Sequence, residues 1–333
     1  MSSNNKLRFA TVGTSHIAEL YVKGALDSNL WDLTAVYSRK VETGLTFGEN
    51  FGCKTVFTNL EELSKSDLID AVYIASPNAF HFEQCKTFLE NGKHVICEKP
   101  LCSHKSDAEE LFKLAEENNL IFMEALLYMH IPARKIFKQG LDSCGEIRNA
   151  FVNFSRKSKQ LNRLLSGEVP NIFNPKMEAG GLMDLGIYCI YPIVDTFGEP
   201  EDFDINVYKL ETGADGVGSI LFKYPNKCVT LNYSKICDSF IPSEFQGEKA
   251  TLSIDSVGLL SGIKLTQHDG TSTLLFSEEE KFKLMGYEAK DFYSFIHGED
   301  IDKFIHCRDM SIKVTSLLER LREKADIHFP SDK

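Results

Sequence analysis

The chain predicts an α/β protein in two parts: an amino-terminal doubly wound parallel sheet, then an α+β half built on an open, mostly antiparallel sheet. Three observations carry that expectation. Short apolar runs alternate with helical patterns through the first 125 residues, the order that parallel strands joined by crossover helices require. Beyond residue 126 the alternation gives way to successive strand-like segments separated by turn signals. The 333 residues are long for one hydrophobic core and favour two domains, at 1–126 and 127–333.

In the first part, strands are expected at residues 7–12, 33–37, 55–57, 71–75, 94–97 and 121–123. Helices are expected at 17–26, at 80–89 through Phe80, Cys85, Phe88 and Leu89, and at 108–115 through Ala108, Leu111, Phe112, Leu114 and Ala115. Right-handed crossovers fold six such strands into one sheet covered on both faces. The second part opens with a helix near 132–139, a strand at 147–154 and an irregular polar stretch from 155 to 175. A helix over 182–197 follows the pair Gly180-Gly181. Strands at 219–224 and 229–233 come next, set off by turn signals at Pro225-Asn226 and His268-Asp269-Gly270. Val229, Leu231 and Tyr233 alternate with Thr230, Asn232 and Ser234, as in a sheet with one buried face. Helices over 289–296 and 310–325 close the chain.

Composition narrows the partners. With 37 Lys and Arg against 48 Asp and Glu the net charge is -11, which disfavours nucleic acid and anionic membrane surfaces and points to a small-molecule ligand. The apolar run at 7–12 contains Arg8 and is too short for a signal-peptide core, and no stretch reaches the length of a membrane span, so a cytoplasmic protein is expected. The nine cysteines are an odd number without a CxxC pair and read as reduced thiols. His94, Cys97, Cys102 and His104 match no common structural-zinc spacing, so no metal is expected and a zinc hydrolase is set aside.

The first strand runs into Gly13-Thr14-Ser15-His16-Ile17-Ala18 and a helix, the place where a dinucleotide-binding fold puts its glycine turn. Gly13 permits the turn, Ala18 allows close packing, and the helix N-terminus offers N–H groups and a positive dipole end to a pyrophosphate. The middle glycine is replaced by Ser15, whose hydroxyl suits the same phosphate. At the end of the second strand the acid that would accept from an NAD ribose is missing; Ser38 and Arg39 stand there and suit a 2′-phosphate, favouring NADP while leaving NAD open. The fourth strand ends in Ser76-Pro77-Asn78 with His81 beyond, and the fifth in Glu98-Lys99-Pro100, both at the carboxyl edge where ligands bind in open α/β sheets.

The glycine turn, Ser76-Pro77-Asn78 with His81, Glu98-Lys99-Pro100, Glu124-Ala125, and Gly180-Gly181 with Asp184 and Tyr188 together resemble the Gfo/Idh/MocA oxidoreductases. The likeness runs in order along almost the whole chain and is nearest to the branch of glucose-fructose oxidoreductase and the dihydrodiol and xylose dehydrogenases. It implies a Rossmann-type domain followed by an α/β domain whose open sheet mediates a homodimer or higher homo-oligomer. It also implies that Lys99, Asp184 and Tyr188 surround the nicotinamide and a polyhydroxylated substrate. Asn78 and His81 are candidates to contact the nicotinamide ribose, His81 being open equally to the role of a structural cap or core histidine on its helix, and Glu98 is a candidate to hold the ribose hydroxyls. Tyr188 as proton acceptor with Lys99 as its electrostatic partner, and the inverse with Lys99 as base, both remain open. Tyr128-Met129-His130 departs from the arginine that many relatives carry after the Glu-Ala pair, so substrate identity does not transfer. Arg156, Lys157 and Arg163 are weaker candidates for meeting a polar substrate. The competing function is a non-catalytic NAD(P)-sensing regulator.

Overall fold

The structure, a computed structural model, describes residues 6–332. It divides into two compact units, one comprising the chain up to His130 together with Glu280–Ile312, the other Ile131–Glu279 with the residues from Lys313 on.

In the first unit the chain runs β1 (Leu7–Val12), α1 (His16–Asp27), β2 (Trp31–Tyr37), α2 (Val41–Glu49), β3 (Val56–Phe57), α3 (Leu60–Ser64), β4 (Ala71–Ile74), α4 (His81–Glu90), β5 (His94–Glu98), α5 (Lys105–Glu117), β6 (Phe122–Ala125) and α6 (Leu127–His130). The strands form one parallel sheet in the order β3-β2-β1-β4-β5-β6. Val72, Ile74, Val95 and Cys97 are wholly buried because helices cover both faces, which is why these strands are unbroken apolar runs. The helices α2 and α3, which the periodicity did not announce, are short and lie between the strands on one edge.

The second unit runs α7 (Ala133–Ser143), β7 (Ile147–Ser155), α8 (Leu161–Leu165), a π-helical turn (Leu182–Gly186) continuing as α9 (Ile187–Phe197), and then β8 (Asp202–Lys209), β9 (Asp215–Tyr224), β10 (Lys227–Ser234), β11 (Ser243–Gly247), β12 (Ala250–Ser256), β13 (Ser261–Gln267) and β14 (Ser272–Phe276). The order is β14-β13-β12-β11-β7-β10-β9-β8, with β7 and β10 parallel and the remaining pairs antiparallel. Val229, Leu231 and Tyr233 face the core, as the alternation predicts. The expected irregular stretch holds α8 and two short 3-10 turns, Asn171–Phe173 and Pro175–Met177.

The two closing helices are α10 (Lys281–Ile296) and α11 (Ile301–Lys324). A single boundary after residue 126 does not describe this packing, because α10 and the start of α11 return to the first unit. The reason is a backbone contact: a Cβ on Gly24 of α1 would lie 2.4 Å from the Phe282 carbonyl oxygen and 2.6 Å from the Gly286 nitrogen. Trp31 completes the seam, donating from Nε1 to the Ala289 carbonyl at 2.9 Å and stacking on Phe292 at 5.4 Å. Helical periodicity reveals that a face is apolar, not which distant segment covers it.

Among the described residues no helix is long and apolar enough to cross a membrane. Among the described residues no disulfide joins any of the nine cysteines, seven of which are buried.

His94 opens β5 and accepts from the Ile121 N–H at 2.9 Å through Nδ1, a role only the uncharged ring can fill. Burial holds its pKa down to about 4. The unfolded chain protonates near the ordinary value while the folded one does not, so stability is present at neutral pH and lost as pH falls from about 6.5 towards 4. The loss at pH 5 is about 2 kcal/mol. Urea unfolding at pH 7 and pH 5 should show His94→Gln losing about that much less than the parent over the same interval.

Candidate active site

The strand order reverses between β1 and β4, so the loops after these two strands leave the sheet on either side of a switch point, where open α/β sheets bind ligands. Gly13 follows β1 at φ +111°, and a Cβ there would stand 2.8 Å from the Ala75 carbonyl oxygen of the loop after β4. Only glycine fits on both counts. The turn delivers Ser15 as the N-cap of α1, its Oγ accepting from the Ala18 N–H at 3.4 Å; that leaves its O–H available to donate outward. Ala18 is wholly buried, Thr14 and Ile17 are half-buried, and Ser15 and His16 are exposed at the helix end. A glycine turn leading into the exposed N-terminus of a 12-residue helix fits a dinucleotide pyrophosphate.

At the end of β2 the Ser38 N–H donates to the Phe57 carbonyl at 3.1 Å, which fixes the turn, and the Ser38 side chain is buried. Arg39 and Lys40 are exposed beyond it, and among the described residues Arg39 has no ion-pair partner. The loop after β4 carries Ser76, whose Oγ donates to Gln84 Oε1 at 2.7 Å, then Pro77 and Asn78, all half-buried.

Two candidate ribose contacts, His81 and Glu98, are buried. His81 is buried, its Nδ1 2.9 Å from the Pro100 carbonyl and its Nε2 3.0 Å from that of Ser76, so the ring ties the loops after β4 and β5 together from beneath. Glu98 is buried as well; Tyr73 donates to its Oε1 at 2.5 Å, and the Lys99 N–H lies 3.3 Å from its Oε2. Both residues support the edge from inside. Burial pushes the Glu98 carboxyl above the usual carboxylate range, against the pull of the Tyr73 hydrogen bond and the Lys99 and Lys281 charges. Glu288 of α10 is buried with neither carboxyl oxygen hydrogen-bonded; burial first, and the Glu98 charge second, drive its pKa well up. Lys99 itself is half-buried at the end of this edge, and the Leu101 N–H beyond it donates to Glu124 Oε1 at 3.0 Å.

In the second unit the glycine pair is explained by crowding. A Cβ on Gly180 would fall 2.0 Å from Asp215 Oδ1, and one on Gly181 would fall 2.7 Å from the Tyr233 ring. The Asp215 Oδ2 accepts from the Leu182 N–H at 2.7 Å and so anchors the start of the π-helical turn. From residue 178 to 194 every residue is buried except Asp184 and Tyr188. The turn brings these two together on one open face, and Tyr188 meets the Phe154 ring edge-on at 5.5 Å. Lys235 donates to Asp184 Oδ2 from a buried position just past β10.

Lys235 went unremarked in the sequence, although its signal was there: it continues the buried parity of Val229, Leu231 and Tyr233 with a charge. The loop cations contribute less. Arg163 is exposed and spends its guanidinium on Glu168 and Gln160, and Lys157 is held by its backbone N–H on Asp238. Of the four residues set aside as zinc ligands, Cys97 and Cys102 are buried in the first unit's core.

The parallel sheet with its glycine turn at the switch point defines the first unit as a dinucleotide-binding domain. A family model described as an oxidoreductase family with an NAD-binding Rossmann fold matches residues 7–126. The chain is 36% identical over 326 residues to the NADP(+)-dependent scyllo-inositol 2-dehydrogenase IolU of Bacillus subtilis, covering 98% of this chain and 99% of that one. It is 26% identical over 331 residues to the trans-1,2-dihydrobenzene-1,2-diol dehydrogenase of Oryctolagus cuniculus, with 93% and 95% covered. Among solved structures, KijD10, a 3-ketoreductase from Actinomadura kijaniata in complex with NADP and TDP-benzene, shares the fold with a TM-score of 0.83 at 23% identity, over 96% of this chain and 98% of that one. The chain belongs to the Gfo/Idh/MocA family of NAD(P)-dependent oxidoreductases.

Proposed function

We propose that this chain is an NADP-dependent dehydrogenase or reductase acting at a hydroxyl or carbonyl carbon of a sugar, cyclic polyol or related cyclic diol. The observation that carries the reading is the pair Asp184 and Tyr188, the two open polar positions in an otherwise buried stretch of helix. The names of the relatives, an inositol dehydrogenase and dihydrodiol dehydrogenases, support the substrate class.

Bound NADP supplies hydride acceptance and donation at its nicotinamide ring. Residues Gly13 to Ile17 offer the α1 N-terminus to the pyrophosphate, and Ser76, Pro77 and Asn78 line the adjoining loop. Ser38 and Arg39 take the 2′-phosphate; an exposed guanidinium that pairs with no carboxylate among the described residues is suited to a charge-assisted fork. Arg39→Asp should weaken NADPH binding about tenfold to a hundredfold, the range of a lost charge-assisted hydrogen bond, while NADH binding improves or holds. Fluorescence titration with both cofactors reads this directly, and a parent that binds NADH more tightly than NADPH sinks the assignment.

Oxidation of an alcohol requires a proton to leave oxygen as the hydride leaves carbon, so a base must touch that hydroxyl. Tyr188 takes this role: its phenol, with an ordinary pKa of about 10, is a usable base once a lysine ammonium favours the phenolate. Lys99 is that cation and a donor to the substrate oxygen, and Asp184 accepts from a neighbouring substrate hydroxyl. The inverse, with Lys99 as base, is the second assignment. A sensor without turnover has no use for this set of groups. Lys99→Met and Tyr188→Phe should each lower kcat by about 10²-fold to 10⁴-fold while NADPH affinity stays within a few-fold. Turnover near the parent's in Lys99→Met would exclude the mechanism.

The second unit's sheet supplies the dimer surface in this reading. Its outward row Glu244, Phe151, Thr230 and Leu221 runs across four strands in register, and Phe240 and Ile241 lie exposed in a loop that Asn153 holds to the same face. Sedimentation should give a dimer for the parent and a shift towards monomer for the double variant Leu221→Lys, Phe240→Lys.

A further inference from the structure

Lys235 is nearly inaccessible, yet it carries a charge that the fold's core does not need. Its backbone is locked on both sides: the Lys235 N–H donates to the Gly216 carbonyl at 2.8 Å, and its own carbonyl accepts from the Ser158 N–H at 2.8 Å. The side chain therefore leaves a rigid point just past β10, beside the end of β7, where Ser234 and Ser155 are paired in register. It passes the Phe173 ring, with Nζ 6.0 Å from the centroid, and ends on Asp184 Oδ2. The partner is not buried to the same degree, since 35% of the Asp184 side chain is open against 5% for that of Lys235. An ion pair made for stability alone gains little from this arrangement, because an apolar side chain in place of a buried lysine is often no worse. The asymmetry has a different use: a buried cation behind an open carboxylate keeps that carboxylate ionised and aimed outward.

We propose that Lys235 is a positioning residue of the active site, holding the Asp184 carboxylate ionised and in one orientation so that it accepts a hydrogen bond from a substrate hydroxyl next to the reacting carbon. The inference rests on the dehydrogenase reading given above and narrows its substrate class: the preferred compound carries a hydroxyl on the carbon adjacent to the one that is oxidised. Because that hydrogen bond is made in both ground and transition states, its loss falls on KM more than on kcat.

The test is steady-state kinetics with NADP and a panel of inositols and pentoses, each compared with the analogue lacking the adjacent hydroxyl. Lys235→Met should raise KM for the full polyol by about tenfold to a hundredfold, with kcat changed only a few-fold, and should erase the preference over the deoxy analogue. Lys235→Arg, which keeps the charge, should restore KM to within a few-fold of the parent. Asp184→Asn and the double variant Asp184→Asn, Lys235→Met should have equal KM, because the lysine acts only through the carboxylate. NADPH affinity by fluorescence should be the same in all of them. If Lys235→Met does not fold, the double variant, which removes both charges together, and Lys235→Arg carry the comparison. A KM within twofold of the parent in Lys235→Met, additive effects in the double variant, or no rescue by arginine overturns the inference. Parent turnover with an unchanged Lys235→Met removes this inference alone, whereas a parent that turns over no polyol in the panel removes the dehydrogenase reading and this inference with it.

Discussion

Two backbone segments meet where Gly13 passes the Ala75 carbonyl, and the functional edge of the first unit depends on that contact. The absence of a Cβ at this one position lets the loops after β1 and β4 close on each other at the switch point of the sheet. Closure sets the direction of α1, so that its N-terminal N–H groups look out over the carboxyl edge. A second close contact, Gly24 against the Phe282–Gly286 backbone, fixes the other end of the same helix. The helix dipole at the glycine turn is thus aimed by two glycines, one in the turn and one about two helical turns into the helix.

The edge is supported from below by polar groups at a cost. Tyr21 and Tyr73 stack at 3.8 Å, the Tyr73 hydroxyl holds Glu98, and Glu288 lies buried in the same environment with its oxygens unpaired. Burial drives the pKa values of both tyrosines and of Glu288 far above their ordinary ranges, which favours the protonated form of each. Each unsatisfied buried group costs about 1–3 kcal/mol. The apolar seam of Trp31, Phe292 and Phe9 around it offsets that cost, as indole and phenyl rings bury large areas. A strand end stiffened in this way holds the Lys99 backbone where a rotating loop would not.

Sequence reading was strong where physics is local and weak where it is not. The order of parallel strands follows from alternation of apolar runs, and Gly13, Lys99 and the Asp184–Tyr188 spacing follow from turn chemistry and helical geometry, all within a few residues of chain. What escaped depends on partners far along the chain. The return of α10 to α1 is a meeting of residues over 250 positions apart, with Trp31 bonded to Ala289. The position of His81 and Glu98 at the sheet edge suits both a ligand contact and a structural role; the hydrogen bonds of their buried side chains, to Pro100 and Tyr73, are visible only in the structure. Lys235 was legible in principle, as a charge on the buried parity of a strand, but parity names no partner, and Asp184 is 51 residues away.

The second unit answers the same physical problem with different means. Where the first unit aims a helix by removing side chains at Gly13 and Gly24, the second crowds Gly180 and Gly181 against Asp215 and Tyr233 and lets a π-helical turn follow. Residues four apart on a helix stand one turn from each other, which puts Asp184 and Tyr188 on one open face. Burying every neighbour of these two residues, and setting a charged lysine behind one of them, leaves few rotamers for either. Preorganisation of that sort suits the proton-transfer role proposed for Tyr188, since a base that must first find its orientation loses rate before any bond is broken. The close packing at Gly180 and Gly181 and the charge buried at Lys235 are therefore two parts of one arrangement: the glycine contacts set where Asp184 and Tyr188 stand, and the ion pair sets how Asp184 points.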